Sequence, residues 1–157
     1  MADQVKQDAV ALLKADHEKV ATMFVQFEKA SGDGRKEKIA KQICLELSVH
    51  ATIEEDLLKE AYVEHDGAKV LIAEIMAGGP DDEYYDAKVT VLQEQIEHHV
   101  EEEEKRMEGM FAQARKAGLD MDALGEQLAA RKAELVADYE ANGVPKPTLT
   151  TLEEASV

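Results

Sequence analysis

Tryptophan is absent from this chain, and aromatic residues make up only 4% of its 157 positions, so the core has to be largely aliphatic. Ala, Glu, Leu and Lys dominate instead, and these are helix formers. A single cysteine, Cys44, excludes an internal disulfide and fits a reducing compartment. It stands between Ile43 and Leu45 in a helical pattern and reads as a small buried side chain rather than a reactive thiol. No run approaches the roughly eighteen apolar residues of a membrane span. The start, MADQVKQDAV, lacks a basic stretch followed by an apolar one, so no signal peptide is expected. Positive charge is scarce as well: 18 Lys and Arg stand against 34 Asp and Glu, a formal net charge of -16. Such a surface repels phosphate backbones and anionic lipid, which argues against nucleic-acid and membrane partners. A bound cation would relieve part of that charge. The expectation is one soluble, cytoplasmic domain.

What is present is helical periodicity. The first segment runs from about Gln4 to Lys29, with Leu13, Val20, Phe24 and Phe27 on one stripe, and SGDG (31–34) breaks it. The second starts near Arg35 and carries Ile39, Ile43, Leu47 and Leu57. The third covers roughly residues 60 to 76, with Ala61, Ala68, Ile72 and Ile75 inward. AGGPDD (77–82) stops it and offers aspartates to cap the next helix. The fourth runs from about Glu83 to Lys116 through Val89, Leu92, Ile96 and Met110, with Gly118 as a C-terminal cap. A shorter helix follows from about Asp122 to Ala141, carrying Leu124, Leu128, Leu135 and Tyr139. No strand pattern or repeat interrupts these. The pattern predicts an all-α protein, a four-helix bundle with an additional C-terminal helix over residues 1–142, and a flexible tail over 143–157.

Five histidines lie on these helices. His17 belongs to the stripe Leu13, His17, Val20, Phe24; His50 to Ile43, Leu47, His50, Glu54, Leu57; His65 to Ala61, His65, Ala68, Ile72; and His99 to Leu92, Ile96, His99, Glu103, Met110. Each of the four helices therefore aims one imidazole at the core. His98 differs, because its stripe of Val91, Gln95, Glu102 and Lys105 is largely polar. A lone histidine on an apolar stripe is usually a satisfied core residue. Four in a small core are costly unless each finds a partner. Glu54 and Glu103 follow His50 and His99 by four residues, which puts each pair on one face a turn apart. Neutral imidazole and carboxylate together suit iron, manganese or zinc. Six donors exceed one tetrahedral zinc. They suit two ions, each held by two histidines, with Glu54 and Glu103 bridging.

Other chemistries fail on spacing. There is no HExxH for a zinc protease, no Glu-x-x-His of the ferritin-like di-iron bundles and no glycine-rich phosphate loop. The run EEEE (101–104) reads as a solvated face, with Glu103 the exception. Met107 and Met110 read as core filling.

The segments KADHEKV with His17, LSVHATIEED with His50 and Glu54, EAYVEHDGAKVLIAEI with His65, and IEHHVEEEEKRM with His99 and Glu103 resemble the bacterial hemerythrin-like (HHE cation-binding) proteins. The resemblance extends to about Asn142. It implies an antiparallel four-helix bundle around a non-haem di-iron centre, whose oxidised ions share a solvent-derived oxo or hydroxo bridge. The implied functions are binding or sensing of dioxygen, nitric oxide or redox state, iron handling and peroxide consumption. Oxygen carriers of this type use a fifth histidine, in an HxxxH pair of the third helix, and a closing Asp. Here Lys69 follows His65 by four residues, and the closing acid is Glu103. These departures favour a centre that senses or reacts with dioxygen, nitric oxide or peroxide over stable carriage. A di-iron peroxidase-like or oxidase enzyme and a structural bundle with a vestigial site are the alternatives.

The stretch HATIEEDLLKEAYVEH (50–65) adds a topological question, because it contains no Gly or Pro and favours helix throughout. Relatives of the resembling family carry about a dozen more residues here. One continuous helix over 35–76 would separate His50 from His65 by roughly 22 Å along its axis. The site could then close in a homodimer that exchanges helices, while a tight hairpin near Asp56 to Lys59 would close it within one chain. A broken site is the third outcome.

Overall fold

A computed structural model of the chain describes residues 8–56 and 63–150. The described residues form five helices and no strand: α1 (Ala9–Lys29), α2 (Asp33–Glu55), α3 (Asp66–Ala77), α4 (Tyr85–Lys116) and α5 (Met121–Asn142). Their ends follow local chemistry. Asp8 caps α1 by accepting from the Ala11 N–H at 2.8 Å. Gly32, at φ +93°, makes the turn into α2. In the AGGPDD turn, Asp82 accepts from the Tyr84 N–H at 2.9 Å at the entry to α4. Gly118, at φ +85°, closes α4, and the following Leu119 N–H returns to the Ala114 carbonyl at 3.1 Å. Asp120 then accepts from the N–H groups of Asp122 and Ala123, starting α5.

Helices α1 to α4 pack as a bundle in which α1 touches α2 and α4, and α3 touches α2 and α4. Helix α5 lies against α1 and α2, with a lighter contact to α4. Two apolar clusters fill the interior. One gathers Val20, Phe24, Phe27, Ile43, Leu47, Ile72, Ile75, Tyr85, Val89 and Leu92. The other gathers Leu12, Leu13, Val49, Ile53, Met107, Phe111, Leu128, Leu135 and Tyr139. Burying each large side chain contributes about 1.5–3 kcal/mol. The switch between clusters falls at the same level on three helices. His17 separates Leu13 from Val20, His50 separates Leu47 from Ile53, and Glu103 separates Ile96 from Met107. A belt of polar side chains therefore crosses the middle of the core. Cys44 is fully buried in the first cluster, and no helix among the described residues is long and apolar enough to cross a membrane.

The continuous helix envisaged for residues 35–76 does not form, because α2 ends at Glu55 and α3 begins at Asp66. Asp56 sits in a turn, its N–H bonded to the Thr52 carbonyl at 3.1 Å. Residues 57–62, which include Leu57, Ala61 and most of the expected hairpin, lie outside the described residues. Helix propensity is a weak preference beside burial. His50, Glu54 and His65 are buried in one place, which a straight helix cannot do. Beyond α5, where a flexible tail was expected, Val144 packs against the second cluster. The Thr150 N–H donates to both carboxylate oxygens of buried Asp66, at 3.0 and 3.1 Å.

Candidate metal centre

The polar belt brings together all six residues that the sequence singles out. His17, His50, Glu54, His65 and Glu103 are buried, and His99 is half-buried. His98, by contrast, is 77% exposed. The donors fall into two sets: His17, His50, Glu54 and Glu103 offer converging atoms on one side, and Glu54, His65 and His99 on the other. The histidines pair accordingly. The rings of His17 and His50 meet edge to face at 4.7 Å between centroids, and those of His65 and His99 at 5.1 Å.

Glu54 belongs to both sets because its two oxygens part. Oε1 lies 2.5 Å from His50 Nε2 and 3.6 Å from His17 Nε2, while Oε2 lies 3.0 Å from His65 Nε2. Glu103 closes the gap from the fourth helix, with Oε2 3.2 Å from His99 Nε2 and 3.7 Å from His17 Nε2. Close as they are, several of these atoms do not hydrogen-bond. Both Glu54 oxygens, Glu103 Oε2 and His99 Nε2 are buried without a hydrogen-bond partner. Buried polar atoms are rarely left so. Buried acceptor atoms crowded together without donors to satisfy them are what a cation would satisfy, so the donor set fits a metal.

Electrostatics agree. Burial opposes protonation of His50, yet Glu54 and Asp16 outweigh it and raise its pKa to about 10. Burial likewise opposes the charge on His65, and Glu54 and Glu55 push it up to about 9. Burial raises Glu103, and its neighbour Glu54 raises it further against the pull of His99. Burial would raise Glu54 too, but His50, His17 and His65 hold it well below the ordinary carboxylate range. The site attracts positive charge from whatever source supplies it.

A second layer escaped the sequence reading. Each imidazole turns its Nδ1 toward a carboxylate. His17 donates to Glu104 Oε1 at 3.0 Å and His50 to Asp16 Oδ2 at 3.1 Å. His65 Nδ1 lies 3.6 Å from Glu55 Oε1, and His99 Nδ1 lies 3.7 Å from Glu64 Oε2, distances of ion pairing rather than hydrogen bonding. Cations back three of these acids: Lys132 on Asp16, Lys69 on Glu55 and Arg106 on Glu64. Carboxylates placed this way orient a metal-binding imidazole and strengthen its other nitrogen as a donor. A sequence signal existed: every one of these acids is the chain neighbour of an inner residue, in Asp16-His17, Glu54-Glu55, Glu64-His65 and Glu103-Glu104. Glu104 therefore leaves the solvated face to which the EEEE run was assigned. Lys69, four residues after His65, serves Glu55 and also reaches the Thr148 carbonyl at 3.4 Å.

Beside the donors lies a cavity of about 40 Å³, walled by Val20, Leu47, Ala68, Ile72, Ile96 and Val100. It has room for a water or a diatomic molecule and little more.

A helical bundle with a buried cluster of His and Glu residues able to hold a metal defines the class. The family model for the hemerythrin HHE cation binding domain matches residues 8–111, and the chain belongs to that family. Neither the curated proteins nor the solved structures contain a significant match.

Proposed function

We propose that the chain is a non-haem di-iron protein that binds or senses dioxygen, nitric oxide or peroxide. His17 and His50 would hold one ion, His65 and His99 the other, with Glu54 and Glu103 shared between them. The observation that carries this reading is the division of Glu54. One carboxylate oxygen faces one histidine pair and the second faces the other, which is the geometry of a bridge. Imidazole and carboxylate donors in this ratio suit iron, and the donors outnumber what one tetrahedral ion requires.

Iron there would supply a redox-active Lewis acid for a small ligand. The chain itself does the rest. Glu104 and Asp16 hold His17 and His50 with Nδ1 protonated and Nε2 inward. The aliphatic wall of Val20, Leu47, Ile72 and Ile96 limits what can approach. A reducing, cytoplasmic setting fits a single thiol whose burial pushes its pKa up to about 12 and leaves it unreactive.

Metal analysis of the purified chain, paired with its optical spectrum under nitrogen, air, nitric oxide and peroxide, tests the reading. We expect about two irons per chain by the donor count and a spectrum that changes with the added gas or peroxide. Substoichiometric metal together with a chelator-insensitive melting temperature would sink it. Multiple-turnover peroxide consumption that is lost in Glu54→Gln would make the protein an enzyme instead of a sensor.

A further inference from the structure

Asp16 stands where two spaces meet. It lines the small cavity beside the donors and also an outer groove of about 660 Å³ between α1, α2 and α5. Among the described residues it is the one lining residue that the two share. On the inner side Oδ2 accepts from His50 Nδ1 at 3.1 Å. On the outer side Oδ1 accepts a hydrogen bond from Lys132 Nζ, and Lys132 lines the groove. Lys132 belongs to α5, beyond the residues that match the family.

We propose that Lys132 is a positioning residue of the metal centre: from the C-terminal helix it fixes Asp16 and offsets its charge, and so sets how strongly His50 donates to the metal. The inference rests on the di-iron reading above. An exposed lysine–carboxylate pair ordinarily does little. Here the carboxylate is buried and its second partner is a buried imidazole. An imidazole that donates Nδ1–H to a carboxylate is a stronger donor at Nε2, the more so as that carboxylate is more negative. Lys132 draws on the same carboxylate from the other side. Without its charge Asp16 pulls harder on the His50 proton, His50 donates more strongly, and the higher oxidation state of the metal is favoured. Without the Asp16 charge the opposite holds. The helix outside the matched region would then tune the centre that the matched region builds.

The test is a redox titration of the iron-loaded full chain, followed optically, for wild type, Lys132→Met, Lys132→Arg and Asp16→Asn, with iron content measured first. Lys132→Met keeps an unbranched stem of similar length in the groove. It should shift the ferric–ferrous equilibrium about tenfold toward ferric, which is about 59 mV for a one-electron step. Asp16→Asn should shift it toward ferrous, and Lys132→Arg should stay near wild type. Mere loosening of the site would move Lys132→Met and Asp16→Asn in the same direction. That outcome overturns the inference, as does an unmoved Lys132→Met in an iron-loaded chain, or a Lys132→Arg that follows Lys132→Met. A wild-type chain that takes up no iron overturns the di-iron reading, and the inference with it.

Discussion

His17 and His50 come from neighbouring helices, and their Nε2 atoms stand 3.0 Å apart inside the core. Two neutral imidazoles with both protons on Nδ1 would set lone pair against lone pair. Either a proton or a metal ion has to lie between or beside them. The two solutions have opposite pH dependence, which gives the first prediction. In chelator-stripped protein, His50 and His65 titrate at about 10 and about 9, against about 6.5 in an unfolded chain. Their contribution to stability is complete below about 6.5 and is lost as pH rises through 9 to 10. The melting temperature of the stripped protein should therefore fall across that window. The loaded protein should instead shed metal on acidification, because protons compete for the same nitrogens. A stripped protein whose melting temperature climbs between pH 6.5 and 10 would contradict this assignment of charge.

The four helix stripes were legible because an α-helix turns through a fixed angle per residue. Leu13, Val20 and Phe24 identify the inward face of α1, so His17 between them had to point inward too. The same logic separated His99 from His98. The outer carboxylates were not legible this way. Asp16 adjoins His17 but serves His50, and Glu64 adjoins His65 but faces His99. A side chain one position from an inward residue points toward the neighbouring helix, and which neighbour that is depends on packing. The end of α2 was hidden for a different reason. Nothing in Glu54-Glu55-Asp56 disfavours helix, and the break answers to burial of His50, Glu54 and His65 in one site rather than to any local stop signal.

The adjacent histidines of α4 supply the second prediction. His99 is 21% exposed with Nε2 toward Glu103, whereas His98 is 77% exposed and pairs only loosely with Glu102 at 3.6 Å. His99→Ala should lower iron content, and His98→Ala should leave it unchanged. Plasma emission analysis of the two variants decides the matter, and a reversed pattern would mean that α4 is rotated from the orientation described.

Glu54 and Glu103 are not equivalent, and this makes the third prediction. Glu54 belongs to both donor sets and turns a separate oxygen to each histidine pair, whereas Glu103 reaches His99 and His17 through the one oxygen Oε2. Glu54→Ala should abolish metal binding almost completely, while Glu103→Ala should retain about one ion per chain, by the donors left in place. Equal losses in the two variants would show that the carboxylates share the ions in some other way.

The convergence of His50 and His65 within one chain leads to the fourth. His65 Nε2 reaches Glu54 Oε2 of its own chain at 3.0 Å, so helix exchange between two copies is not needed to complete a site. Metal per chain should be the same in dilute and concentrated protein. Co-expression of a chain lacking His50 and Glu54 with one lacking His65 and His99 should yield no restored site. A heterodimer carrying one complete centre would show that exchange occurs after all.

The cavity wall gives the fifth. Ala68 is a small, partly buried residue that faces the cavity from α3, the helix that His65 precedes. Leucine there adds three carbons to a space of about 40 Å³ and removes none of the donor atoms. Some strain is expected, since overpacking a core site costs about 1–3 kcal/mol. Iron content should stay at the wild-type level, while the affinity for nitric oxide or azide, read from the optical spectrum, falls at least about tenfold, which corresponds to about 1.4 kcal/mol of lost binding. Unchanged affinity in a fully loaded Ala68→Leu would mean that small ligands reach the metals by another face. The cavity would then be a packing gap rather than the ligand's berth.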